Sequence, residues 1–85
     1  MEIKMQVPEY DVTKGIIYKW ETGFEIEVKH DNETIAISAN REGLISLANH
    51  LLNLAQDQVP SGYHLHFDES NSLEEGSVEL IIEKK

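Results

Sequence analysis

The chain has no cysteine. That excludes a disulfide framework, a thiolate zinc site and a thiol nucleophile, and it suits a reducing compartment such as the cytoplasm, where the protein is expected to reside. No purely apolar run exceeds three residues, as in Leu80 to Ile82, so no segment is expected to span a membrane. The N-terminal stretch MEIKMQVPEYDV also lacks the apolar centre of a signal peptide. No glycine-rich phosphate loop is present, because Gly15, Gly23, Gly43, Gly62 and Gly76 are dispersed. Basic residues are scarce: seven Lys and Arg stand against sixteen Asp and Glu, for a net charge of −9. Lys4, Lys14, Lys19, Lys29, Arg41, Lys84 and Lys85 form no stripe, which argues against nucleic acid as a ligand.

The acidity is uneven. Between Arg41 and Lys84 there is no basic residue, while Glu42, Asp57, Asp68, Glu69, Glu74, Glu75, Glu79 and Glu83 all fall there. Such a surface repels nucleic acid and anionic lipid. It attracts a basic protein and speeds the encounter, although net negative charge also serves plain solubility. The length suits a single α+β domain over residues 1–85.

Periodicity places the elements. Ile3, Met5 and Val7 alternate with polar residues, which predicts an edge strand closed by Pro8. Ile16, Tyr18 and Trp20, then Phe24, Ile26, Val28 and His30, predict a hairpin over residues 15–30, turning at Glu21-Thr22-Gly23. A third strand is predicted from Thr34 to Ala39. Asn40 is a suitable N-cap, its side-chain oxygen able to accept from an orphan amide of the first turn. The following helix, residues 41–58, carries Leu44, Leu47, Ala48, Leu51, Leu52, Leu54 and Ala55 as its apolar stripe. Ser46, Asn49, His50, Asn53, Gln56 and Asp57 form its polar side, and Pro60 and Gly62 stop it. Tyr63 to Asp68 and Ser77 to Glu83 read as two more strands. The last turns Val78, Leu80 and Ile82 inward. Between them residues 69–76 form a polar loop, pinned if at all by Leu73.

The order β-β-β-α-β-β, with a further strand possible in front, predicts a two-layer α+β sandwich. It has a four- to six-stranded, mainly antiparallel sheet with one helix packed on one face. The other face is left bare. Strand parity puts Glu25, Glu27, Lys29, His64, His66, Glu79 and Glu83 on it, with Ile17, Lys19 and Ile81 nearby. From this face Glu25, Glu27, His64, His66, Glu79 and Glu83 are the candidate partner-binding residues. A slip of one residue in register would turn the set inside out.

Catalytic chemistry finds little support. None of the serines at 38, 46, 61, 70, 72 and 77 sits in a nucleophile-elbow motif. A pair of carboxylates for acid–base work would need a cleft that raises one pKa, and nothing in the sequence predicts one. His64, His66 and Asp68 project from one strand face and so suggest a metal-ligand set. They extend along roughly 13 Å of strand, too far for all three to reach one ion. Polar residues on the wet side of an amphipathic strand are the simpler explanation, with His64 and His66 the only metal candidates left. No cofactor is implied. Trp20 and Tyr18 read as core in preference to a contact surface.

One resemblance adds to this reading. Ile37-Ser38-Ala39-Asn40, Glu42-Gly43-Leu44, Leu47-Ala48, Leu51-Leu52, Leu54-Ala55, Gly62, His64-Leu65-His66, Asp68, Glu75-Gly76-Ser77 and Glu79-Leu80-Ile81-Ile82 follow one another in an order similar to the bacterial immunity protein 32 family. The resemblance covers about residues 35–83. It implies a small α+β protein that binds and neutralises a toxin of a polymorphic toxin system without catalysis. An acidic surface suits a basic toxin. The family pattern assigns no contact residue. The Gly43 match has a physical reading, since a small residue in the first helical turn lets backbone approach closely. The alternative is a stand-alone structural or regulatory α+β module, homodimeric through a sheet edge or the bare face.

Overall fold

The computed structural model describes residues 1–85. Its elements are β1 (Ile26–Asp31), β2 (Thr34–Ala39), α1 (Arg41–Leu54), β3 (His64–Phe67) and β4 (Leu80–Glu83). The class is α+β with one helix, as expected. The single sheet of four to six strands is not what forms. β1 and β2 make one antiparallel pair, and β3 and β4 make another.

The chain between Glu74 and Val78 joins the two pairs. The Glu74 amide donates to the Ile26 carbonyl (2.8 Å), and the Val78 amide donates to the Val28 carbonyl (2.9 Å). This stretch runs along the edge of β1 away from β2, and then leads into β4. Within it the Ser77 hydroxyl accepts from the Val28 amide at 3.1 Å. Ser77 is therefore buried and Val78 exposed, the reverse of the inward Val78 that alternation predicts. The irregular pairing breaks the period of two here, and parity returns only in β4.

Neither strand predicted in the first 20 residues forms. Ile3 to Val7 and Ile16 to Trp20 are irregular, apart from a bridge between Asp11 and Gly15. Both edges of β1 are taken, by β2 and by residues 74–78, so the predicted hairpin of Ile16–Trp20 with β1 does not form. The predicted turn does form at Gly23, whose φ of 82° favours glycine. It leads into β1 as a single strand.

The backbone of the N-terminal segment finds its partners on the helix. Ser46 Oγ accepts from the Glu21 amide (2.9 Å), and Asn53 Nδ2 donates to the Ile17 carbonyl (2.9 Å). Asn49 Nδ2 donates to the Gln6 carbonyl (2.8 Å). Gln56 donates to the Pro8 carbonyl and accepts from the Tyr10 amide, both at 3.0 Å. Buried backbone groups need partners, and here the polar side of α1 supplies them. The helix is thus rotated relative to its apolar pattern, with only Leu54 and Leu47 of the leucine stripe kept at the core. Ser46, Asn49, His50 and Asn53 are buried, whereas Leu44, Leu51 and Leu52 are exposed. The helix also ends at Leu54, four residues before Gln58, with Ala55 as its C-cap.

The buried apolar cluster is Ile16, Ile26, Val28, Leu54, Val59, Leu65, Phe67 and Leu73. Trp20 packs against it, as expected, stacked on Phe24 with ring centroids 4.3 Å apart. Tyr18 stays partly exposed. Leu73 does pin the polar loop. Asp68 caps the start of that loop, accepting from the Ser70 hydroxyl (2.7 Å) and amide (2.9 Å). At the far end, Lys84 Nζ donates to the carbonyls of Gln56 (2.6 Å) and Val59 (2.8 Å), just past the end of α1.

Candidate functional site

Alternation within each strand pair decides which side chains leave the core. Ile26 and Val28 point inward from β1, and Leu65 and Phe67 from β3. Their neighbours Glu27, Lys29, His64 and His66 therefore point the other way. In the register Glu27 faces Ser38, Lys29 faces Ala36, His64 faces Glu83 and His66 faces Ile81. Glu25, His64, His66, Glu79 and Glu83 are exposed, and Glu27 is half-buried. All six predicted partner-binding residues thus lie at the surface, on strands or beside them. Ile17 and Lys19 do not join them, because their segment packs beside α1.

Two subsets form. On β3 and its approach to β4, the His66 Nδ1 lies 3.3 Å from Glu79 Oε2. The His64 and His66 rings meet edge to face with centroids 4.7 Å apart. His64 Nδ1 is 3.0 Å from the Gly62 carbonyl. On β1 and β2, Glu25 and Glu27 line a shallow pocket of about 300 Å³ with Ser38, Asn40 and Glu74. Glu74, which strand parity leaves out, is thus the third carboxylate of this patch. It enters through the pairing of residues 74–78 with β1, a long-range contact with no local sequence signal.

Metal chemistry has a poor donor set here. Asp68, the third member of the His64-His66-Asp68 series, spends Oδ1 on Ser70 and Asn71. The Ser70 hydroxyl, together with the loop amides, holds its carboxyl below the usual carboxylate range. No group of three or more His, Cys, Asp or Glu side chains converges to hold a metal ion.

His50 is the residue whose character the sequence hides. It is wholly buried, with neither ring nitrogen hydrogen-bonded. Its ring packs edge-on to Trp20 (4.3 Å between centroids) and Tyr18 (5.0 Å), and stacks on Phe67 (5.9 Å). Burial pushes its pKa down to about 4, so it is a neutral aromatic filler at physiological pH. Burial likewise raises the Tyr18 hydroxyl.

The arrangement offers a shallow, exposed, carboxylate-rich surface. No helix is long and apolar enough to cross a membrane. Comparison with known proteins gives one match: the family model described as Immunity protein 32 aligns with residues 34–85, more than half of the chain. No curated protein and no solved structure matches. The aligned part begins at β2 and takes in α1, β3 and β4, and it leaves out the N-terminal segment and β1.

Proposed function

The chain belongs to the immunity protein 32 family, and on that footing we propose that it binds a cognate protein toxin and neutralises it as a non-enzymatic inhibitor. The family match carries this reading. The charge of −9 and the carboxylates of the outer strand faces support a basic toxin as the partner. Acidic groups arranged on a rigid face raise the association rate with a basic protein, and they cover the positive surface that such a toxin would use on its own target. In this reading Glu25, Glu27, Glu74, Glu79 and Glu83 supply the charge, and His64 and His66 add hydrogen-bonding rings among them. The complex forms in the cytoplasm of the producing cell.

An immunity gene lies beside its toxin gene, so the neighbouring gene product is the probe. Co-expression of the two is expected to restore growth, and the pair is expected to copurify at low salt. The association rate should fall as salt rises. A neighbouring protein that is not toxic, or a toxin that the chain leaves active, would overturn the proposal. Binding that is unaffected by salt would retain the toxin but remove the acidic face from the contact.

A further inference from the structure

β2 is an outer strand with an unprotected edge. Its six residues, Thr34 to Ala39, contain no charge and no proline, although natural edge strands usually carry such guards. Ile35 is 62% exposed and Ile37 46%. The direction of the free backbone groups follows from the hairpin. The Asn40 amide donates to the Glu25 carbonyl at 3.1 Å, and bonded and unbonded pairs alternate along an antiparallel ladder. Ser38, Ala36 and Thr34 therefore bond back to β1. Ile35, Ile37 and Ala39 direct their amides and carbonyls outward.

We propose that this edge joins two copies of the chain, β2 pairing antiparallel with β2 of the second copy about a two-fold axis at Ile37. The inference rests on strand geometry and is independent of the toxin reading. Ile35, Ile37 and Ala39 are spaced symmetrically about Ile37, so in this register every outward amide and carbonyl meets its complement. Ile37 pairs with itself and Ile35 with Ala39. The same register sets Glu33, in the hairpin turn, beside Arg41, the first helical residue. The charges that flank the neutral strand thus become opposite neighbours across the seam. The chain's overall negative charge opposes self-association at long range, but screening confines that opposition to about 8 Å at physiological salt. Contact at the seam is between neutral or opposite groups.

The helix supplies a second argument. The N-terminal segment lies on one flank of α1 and against β3, through Tyr10–Tyr63 and Trp20–Phe67. Helical spacing puts the exposed Leu44 and Leu51 on the flank opposite Asn49 and Asn53, which hold that segment, and Gly43 beside them faces Ala39 of β2. A two-fold axis normal to a continuous sheet keeps both helices on one face. It turns the two leucine flanks toward each other above the exposed isoleucines. One contact then covers the exposed apolar side chains of β2 together with those of this helix flank.

Sedimentation velocity over a dilution series of the intact chain tests this. The expected result is a monomer–dimer equilibrium that Ile37→Lys weakens about tenfold or more, with circular dichroism unchanged. Charge exchange gives the register. Glu33→Lys and Arg41→Glu should each weaken the dimer, and the double variant should restore it. Both positions are exposed, so these variants remain informative if Ile37→Lys does not fold. A monomer at every concentration, or a dimer indifferent to all three single changes, overturns the proposal.

Discussion

Gly43, in the first turn of α1, lies directly against the backbone carbonyl of Glu25 where the chain enters β1. A Cβ at position 43 would sit 2.5 Å from that oxygen and 2.9 Å from Ile26 Cγ1. The nearest contact joins the helix to the strand layer through backbone on both sides. Gly43→Ala is therefore expected to destabilise the fold by about 1–3 kcal/mol or more, since the backbone itself must shift. Chemical denaturation measures this. Wild-type stability in the variant would show that the helix can tilt away at little cost.

Asn40 ties together the same corner. Its Oδ1 accepts from the Gly43 amide (2.8 Å) and the Glu25 amide (2.9 Å), and its Nδ2 donates to the Gly23 carbonyl (2.9 Å). Asn40→Ala is expected to cost about 1–2 kcal/mol, at the upper end for a cap because two further bonds go with it. Asn40→Asp keeps the acceptor and loses only the bond to Gly23, so its loss should be smaller. Equal losses in the two variants would show that the Gly23 bond matters more than the cap.

Asn53 is fully buried, joined to the Ile17 carbonyl through Nδ2 and to Gln56 Nε2 through Oδ1 (2.7 Å). Asn53→Leu places an apolar side chain of similar size there and strands the Ile17 carbonyl, while Gln56 Nε2 keeps the backbone carbonyls of Pro8 and residue 53 as acceptors. A loss of about 1–3 kcal/mol is expected. Faster hydrogen exchange should appear in residues 6–21 and spare β3 and β4. Uniform exchange changes would show that the N-terminal segment is not held by the helix side chains.

His50 makes stability depend on pH. Its ordinary value is 6.5, and in the folded chain it falls to about 4. Between these values the unfolded chain binds a proton that the folded chain refuses, so stability declines as pH drops from 7 through 6.5 toward 4. The full shift corresponds to a loss on the order of 3 kcal/mol across that window. Asp11 and Asp68, held low by Thr13 and Ser70, act only at lower pH, where their stabilising effect is lost. His50→Phe keeps an aromatic ring against Trp20 and Phe67, and should flatten the slope between pH 7 and 5. Trp20 is the only tryptophan and lies 4.3 Å from the His50 ring, so its fluorescence reports unfolding directly. An unchanged slope in the variant would place the pH dependence elsewhere.

Where a signal was local, the sequence alone determined the outcome. Thr34 to Ala39 alternates and is a strand over those same residues; Asn40 has a cap's chemistry and caps; Gly43 is small where backbone comes close. The outward placement of Glu25, Glu27, His64, His66, Glu79 and Glu83 also followed from parity, because each lies in or next to a regular strand. Tertiary structure decided what depended on partners distant in the chain. Ile16 to Trp20 alternates well enough for a strand, but both edges of β1 were already occupied. α1 has a clear leucine stripe, yet its Ser, Asn and His side is buried, because the irregular N-terminal backbone needed hydrogen-bond partners. Hydrophobic pattern sets the period of a helix, and the unpaired polar groups of its neighbours set which side of it is buried.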